Sequence, residues 1–370
     1  MRSGLRQMYC AAGPDSLTAG KPWRLSASVV VLAPRGLVPE NRELGNTASG
    51  EARQDYKVCL LRRGARSSFM PDVMVFPGGA VDAEDGASAC QLLNAQADDL
   101  DAVVRCAAIR EVFEESGIGI LEPLSAASRL QAAPHGGRSA WRQAIHKDPS
   151  QLTALCAAAG ATPATSPLLP WCSFVTPDME HQRLKKGGFD ARFFVWPSPP
   201  EAAEQLAEAL ADGQETTGLI WLSPDEALAA QAAGRVAMAP PQWYILRELA
   251  DNCPFLAGVA AYASGASRAL VRDYPIKPYP TQLEESEIAE FWAKKSPGAE
   301  VAKAPVMALA YPGDEKHPVF PGPPGARHRM LLSGEITSGA GRYELQRSEV
   351  SSIPLPLKEV MQDWRRLAKL

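Results

Sequence analysis

"IREVFEESG", residues 109–117, carries Arg110, Glu111, Glu114 and Glu115 within six positions and then stops at Gly117. On a helix, Glu111 sits three and four residues before Glu114 and Glu115, so the three carboxylates converge on one side. Like charges at that spacing destabilise a bare helix by about 0.2–0.5 kcal/mol per pair. A hard divalent cation reverses that sign, because Mg²⁺ takes oxygen ligands and keeps several waters in its shell. Arg110 can reach the neighbouring carboxylates and hold their orientation. The competing account is a solvated acidic face with Arg110 in surface pairs, since such faces are common.

The flanking residues weigh on that choice. A helical pattern runs from Asp98 or Asp99, either of which suits an N-cap, to Ser116, with Gly117 as the C-cap. Val104, Ala108 and Val112 share one face at i, i+4 spacing, with Ile109 and Phe113 beside it. Upstream, "DVMVFPGGAVD" (72–82) reads as a short strand broken by Pro77-Gly78-Gly79 and then extended again. The paired glycines let backbone approach a ligand closely, with the Gly78 carbonyl free to face a metal. A variable-looking stretch follows from Glu84 to about Gln96.

Further out, "WRLSASVVVLAP" (23–34), "YKVCLLRRG" (56–64), "LLPWCSFVTP" (168–177) and "ARFFVWP" (191–197) read as strands, and Arg35 to Asp55 as a polar loop. The Ala- and Gln-rich residues 125–165 read as a helical insertion. "TGLIWLSPDEALAAQAAG" (217–234) is a strand followed by a helix with Ser223 as N-cap and Pro224 at its first position, and "PPQWYILRELAD" (240–251) begins another helix. This alternation makes an α/β or α+β core from about 22 to 252. Beyond Pro254 come a Pro-rich link (274–280), an acidic helix candidate (282–295), a second Pro-rich region (312–324) and two strands in 328–347 around Ser338-Gly339-Ala340-Gly341. At 370 residues the chain exceeds one typical domain. It divides into an N-terminal segment (1–21), a domain (22–252) with insertions at about 86–100 and 125–165, and an extension (255–370) of unassigned role.

Bulk composition narrows the class. The chain is 46% hydrophobic and 22% charged, ordinary for a globular core, and its net charge of −4 with no long basic run gives no support for a nucleic-acid binder. No apolar run approaches the roughly 20 residues of a membrane helix. The seven cysteines are scattered, odd in number and without a CxxC pair, which reads as reduced, mostly buried thiols of an intracellular protein. The N-terminus lacks an apolar h-region, so no secretory signal is expected, while a first acidic residue at Asp15 leaves a mitochondrial presequence open. Ala368-Lys369-Leu370 is close to the S-K-L address, so peroxisomal delivery is expected, with mitochondrion or cytosol as alternatives.

Strand, Gly-Gly turn, carboxylate and then R-E-x-x-E-E-x-G at a helix end together resemble the Nudix box, G-x5-E-x7-R-E-U-x-E-E-x-G-U with U apolar. The second half matches at every specified position, from Arg110 through Val112, Glu114, Glu115 and Gly117 to Ile118. The first half departs twice: Asp85 (or Glu84, one residue early) stands where the box has Glu, and 24 residues rather than seven separate Asp85 from Arg110. Length is cheap in a loop between turn and helix. An interrupted box of this kind characterises the peroxisomal coenzyme A diphosphatases of the Nudix superfamily, which the chain also resembles in "FMPDVMVFPGGAVDAED", "RFFVW", "WLSPDEAL", "MAPPQWYILREL" and "LAYPGDEKHP". The resemblance implies a Nudix-type α/β/α sandwich around a mixed sheet, with insertions and a C-terminal extension.

It also implies hydrolysis of a diphosphate-linked nucleotide. In this branch, water cleaves coenzyme A or an acyl-CoA into an (acyl-)phosphopantetheine and 3′,5′-ADP. Diphosphate charge repels hydroxide, so cations must neutralise it first. Glu111 and Glu115 are the first choices as ligands to Mg²⁺ (or Mn²⁺). Glu114 is a further ligand or the base, Gly78 a main-chain ligand, and Arg110 the residue that orients the glutamates. Glu215, before a strand, is either a late carboxylate near the metals or an ordinary loop acid. Arg62, Arg63 and Arg66 are candidates for the 3′-phosphate, with Arg183, Lys185 and Lys186 of "RLKKGG" as the alternative; a solvated charged turn competes in each case. Trp171 and Phe174 could stack on adenine, although core packing is the commoner use of strand aromatics. ADP-ribose, NADH or a capped RNA end are alternative substrates, and an inactive Nudix-fold binding module is the alternative class. Retention of all three glutamates and Arg110 argues against the latter. A small-molecule substrate is the expected partner; oligomeric state is not legible.

Overall fold

The β-branched run within Arg24–Pro34 (β1) offers no polar face, and this strand lies inside a mixed eight-stranded sheet with both sides covered. The computed structural model describes residues 23–41, 44, 53–65, 71–96, 98–130, 136–295, 306–333 and 342–347. The segment 1–21, Arg66, the turn at 338–341 and Ala368-Lys369-Leu370 lie outside the described residues.

The remaining strands of this sheet are Tyr56–Arg63 (β2), Val73–Val75 (β3), Gly78–Ala80 (β4), Leu169–Val175 (β7), Phe189–Pro197 (β8), Thr216–Leu222 (β9) and Ala237–Met238 (β10), while Leu121–Glu122 (β5) and Thr162–Pro163 (β6) form a separate ribbon. The order is β10-β3-β2-β1-β8-β7, with β9 also paired to β2. One edge of β1 runs parallel to β8 over Arg24–Leu32. Its other edge is divided: β4 takes Ser26–Ser28 and β2 takes Leu32–Pro34. The expected strand break is therefore shorter than Pro77-Gly78-Gly79. Pro77, which has no N–H to give, accepts from Val29 N–H, and Gly78-Gly79 are themselves strand, closely apposed to β1.

The helices labelled in chain order are Ala83–Leu93 (α1), Leu100–Ser116 (α2), Ala126–Arg129 (α3), Arg138–Lys147 (α4), Gln151–Ala159 (α5), Asp178–Arg183 (α6), Ala203–Ala207 (α7), Pro224–Ala232 (α8), Pro240–Asn252 (α9), Val259–Ser264 (α10), Ala269–Asp273 (α11) and Glu285–Lys295 (α12). The period of two along β1 sends Val29 and Val31 to one side, against Val104, Ala108, Ile109 and Val112 of α2. Val30 and Leu32 go to the other side, against Tyr244, Ile245 and Leu249 of α9. The result is an α/β/α sandwich. The variable-looking stretch after Glu84 is helical: α1 starts on a capping box in which Asp82 accepts from the backbone and Asp85 reaches back to it. Phe113 does not share the sheet face with Val104, Ala108 and Val112. It turns outward with Val103 and Cys106 to meet Ala89, Trp141, Ile145 and Leu155 of α1, α4 and α5. Those helices bury α2 on its far side too.

Downstream of 254, Tyr279–Thr281 (β11), Val306–Ala310 (β12), His328–Ser333 (β13) and Arg342–Arg347 (β14) form an antiparallel sheet. Its Leu309, Met330, Leu332 and Tyr343 join the same hydrophobic cluster as Trp243 and Tyr244. Ile276 exchanges backbone hydrogen bonds with Ser173 and Val175 beside β7. The described part of the extension therefore shares the core of the domain. None of the helices among the described residues is long and apolar enough to cross a membrane.

Candidate active site

Helix α2 is set by its ends. Asp99 accepts from Ala102 N–H at the N-cap, and Gly117 closes the helix in the left-handed region at φ 78°, its N–H donating to Phe113 O. That fixes the last two turns, which carry Arg110, Glu111, Glu114 and Glu115, all buried. Buried charge is costly unless paired, and here the pairing is dense. Arg110 donates through Nε and Nη2 to the two oxygens of Asp85 at 2.7 and 3.0 Å, in the forked geometry that suits a guanidinium. Its remaining donors reach Glu114 Oε2 at 3.1 Å, Glu111 Oε1 at 2.9 Å and the Ala80 carbonyl at 3.1 Å. Arg110 thus ties α1, β4 and two acids of the stretch, Glu111 and Glu114, together. Asp85, which replaces the expected glutamate, serves here as the buried anchor of Arg110. Glu84 contributes an N–H to the Asp82 cap.

Glu111 and Glu115 both abut the Gly-Gly strand. Gly78 N–H donates to Glu115 Oε2 at 2.8 Å, so the contact made by Gly78 here is through its amide. A Cβ built on Gly79 would lie 2.6 Å from the Glu111 carboxylate, so only glycine leaves that carboxylate its place. Burial pushes the Glu111 carboxyl up to about 8; Arg110 opposes the shift, and Glu114 and Asp85 add to it. Glu115 is also pushed up, by burial first and then by the Glu111 charge, with Gly78 N–H and Arg63 opposing and Glu215 reinforcing. Two buried carboxylates that disfavour their own charge could hold a cation.

Among the described residues, no group of three or more His, Cys, Asp or Glu side chains is assembled to hold an ion. Mg²⁺ nevertheless often takes one or two carboxylates and completes its shell with water and substrate phosphate. The Glu111–Glu115 donor set fits that pattern. Glu114 is turned elsewhere: His146 Nδ1 lies 2.6 Å from its Oε1, and Arg142 Nε donates to its main-chain oxygen at 2.9 Å.

The other candidates are distributed unevenly. Arg63 and Glu215 both act on Glu115 through their charges, and Gly64 N–H donates to Glu215 O at 2.9 Å, which docks the 212–216 loop on the end of β2. Glu215 is exposed and its N–H is held by Asp212. Arg62 is exposed on the same strand end. Arg183, Lys185 and Lys186 are exposed in a segment that meets Arg24 at the start of β1, away from the Ser28–Gly78 pairing. Trp171 and Phe174 are core residues. His146, Arg142 and the anchoring role of Asp85 escape a reading of local pattern; an Arg and a His four apart in a helical insertion were the only available signal.

The profile of the NUDT19 Nudix domain matches residues 23–100 and 94–249. The acyl-coenzyme A diphosphatase NUDT19 of Gallus gallus is 30% identical over 282 residues, covering 63% of this chain and 68% of that protein. The Homo sapiens protein of the same name is 27% identical over 275 residues, covering 62% and 69%. Among solved structures, a Nudix hydrolase from Alicyclobacillus acidocaldarius aligns with a TM-score of 0.47 at 23% identity, covering 63% of this chain and 93% of that one. With the profile spanning more than half of its length, the chain belongs to the NUDT19 Nudix domain family and is a Nudix hydrolase.

Proposed function

We propose that this enzyme hydrolyses the diphosphate of coenzyme A and acyl-CoA, with Mg²⁺ or Mn²⁺, to (acyl-)phosphopantetheine and 3′,5′-ADP. The observation that carries the reading is the buried Glu111–Glu115 pair against Gly78-Gly79, in a chain whose curated relatives bear the name acyl-coenzyme A diphosphatase. A divalent cation seated on Glu111 and Glu115 would neutralise diphosphate charge and make an attacking water more acidic. Gly78 N–H holds Glu115 in place, and Arg110 holds Glu111 and Glu114. Glu114, hydrogen-bonded by His146 and Arg110, would accept the proton of water. Arg62 and Arg63, at the end of β2, present positive charge for the 3′-phosphate. Peroxisomal delivery through Ala368-Lys369-Leu370 belongs to the same proposal, and imaging of an N-terminal fluorescent fusion with and without those three residues tests it.

Product analysis decides the substrate. Purified protein with Mg²⁺ is offered free coenzyme A, an acyl-CoA, ADP-ribose and NADH separately, beside a Glu115→Gln variant. The expected result is 3′,5′-ADP from the coenzyme A substrates, reduced at least about 100-fold in the variant. Cleavage of ADP-ribose or NADH alone would keep the chemistry and overturn the substrate. No turnover with nucleotide still bound would favour a binding module.

A further inference from the structure

The insertion between β5 and β6 reaches the reacting end of α2. Arg142 and His146 lie four residues apart on α4 and so share a face. Arg142 Nε holds the Glu114 main-chain oxygen at 2.9 Å, and His146 Nδ1 meets Glu114 Oε1 at 2.6 Å. The other carboxylate oxygen accepts from Arg110 Nη1 at 3.1 Å. Glu114 is therefore gripped at both carboxylate oxygens and at its backbone, while Glu111 and Glu115 face the glycine strand.

Facing a carboxylate oxygen, the ring nitrogen of His146 must carry the hydrogen, so Nδ1 is the donor. The bond is not needed to dock the helix. Trp141 and Ile145 of α4, 1% and 0% exposed, already pack on Phe113 and Cys106 of α2. The His146 side chain is 29% exposed.

We infer that His146 is a positioning residue for hydrolysis: its hydrogen bond fixes the Glu114 carboxylate, whose other oxygen shares Arg110 Nη1 with Glu111, which makes the 125–165 insertion part of the active site. This rests on the diphosphatase reading above. Without the bond, Glu114 keeps only the Arg110 contact at one oxygen and can rotate about its terminal torsion, which is broad.

The test compares full-length wild type, His146→Ala and His146→Asn with Mg²⁺ and the preferred coenzyme A substrate, together with thermal melting. Asparagine places an amide donor where Nδ1 stood. The expected result is a fall in kcat of about 10- to 100-fold for His146→Ala, with KM and melting temperature little changed, and recovery of most of that loss in His146→Asn. Unchanged kcat in His146→Ala, a change confined to KM, a loss that asparagine does not restore, or a collapse in melting temperature would each overturn the inference. Wild type inactive on every diphosphate would overturn the underlying reading and this inference with it.

Discussion

Gly78 and Gly79 are neighbours, but a methyl group added to each would fail for a different reason. At Gly78 it would meet Ala27 O at 2.4 Å and Ser28 Cα at 2.5 Å, and backbone cannot step aside cheaply. Gly78→Ala is expected to part β4 from β1 and cost about 1–3 kcal/mol, visible as a lower urea midpoint. At Gly79 the obstacle is the Glu111 carboxylate, the end of a flexible side chain. Gly79→Ala should then melt within a few degrees of wild type while lowering kcat by at least about tenfold, because small displacements of a catalytic group are expensive. Equal losses of stability and rate in the two variants would contradict this division. Asp85, with its side chain wholly buried against Arg110, belongs to the same set of contacts. Asp85→Ala takes away the forked partner of a buried guanidinium that still keeps Glu111 and Glu114, and is expected to cost about 1–3 kcal/mol, read as a lower urea midpoint.

Pairs of elements are joined by a second buried ion pair. Arg268, just before α11, donates to Glu248 of α9 at 2.8 Å, with both side chains fully buried, and its guanidinium lies 3.8 Å from the Trp171 ring centre on β7. Removing one member of such a pair leaves an uncompensated charge, so Arg268→Met alone should destabilise by about 3–5 kcal/mol. Adding Glu248→Leu should recover a large part of that loss, since an apolar pair of similar volume carries no desolvation cost. Chemical denaturation of the two variants checks it. A double variant no better than the single would mean that the packing on Trp171, rather than charge, holds these elements.

Across the molecule, the extension after 254 closes the core that the sandwich leaves open on its α9 side. A chain ended near residue 254 would expose Trp243 and Tyr244 and is expected to lose cooperative unfolding. The extension also carries a pH dependence. His317 Nδ1 accepts from Phe320 N–H at 2.8 Å, a bond that only the unprotonated nitrogen can make. Burial pushes its pKa down to about 4, whereas an unfolded histidine titrates near about 6.5. Between those values the unfolded chain binds a proton that the folded one refuses. Stability is therefore complete above about pH 6.5, falls as pH drops and levels off below about pH 4, for a total loss of order 3 kcal/mol. Urea midpoints at about pH 7.5 and about pH 5 should differ in wild type and differ less in His317→Gln.

Caps and turns were legible from residues a few positions apart: Asp99 and Gly117 bound α2, Ser223 and Pro224 start α8, and the two strands of 328–347 pair as β13 and β14. Such features are local, so local spacing encodes them. The second half of the box was legible for the same reason, since Arg110, Glu111, Glu114 and Glu115 fall within two turns of one helix. The first half was harder, because Asp85 meets Arg110 across 25 positions and the chain between them folds into α1 before α2 begins. The outward turn of Phe113 depended on there being helices outside it to pack against. The meeting of His146 with Glu114, 32 positions apart, and the sharing of one core between sandwich and extension belong to the same kind. No short-range pattern specifies which distant faces will dock; that is settled when whole elements bury their apolar surfaces together, and the polar contacts follow from where those surfaces come to rest.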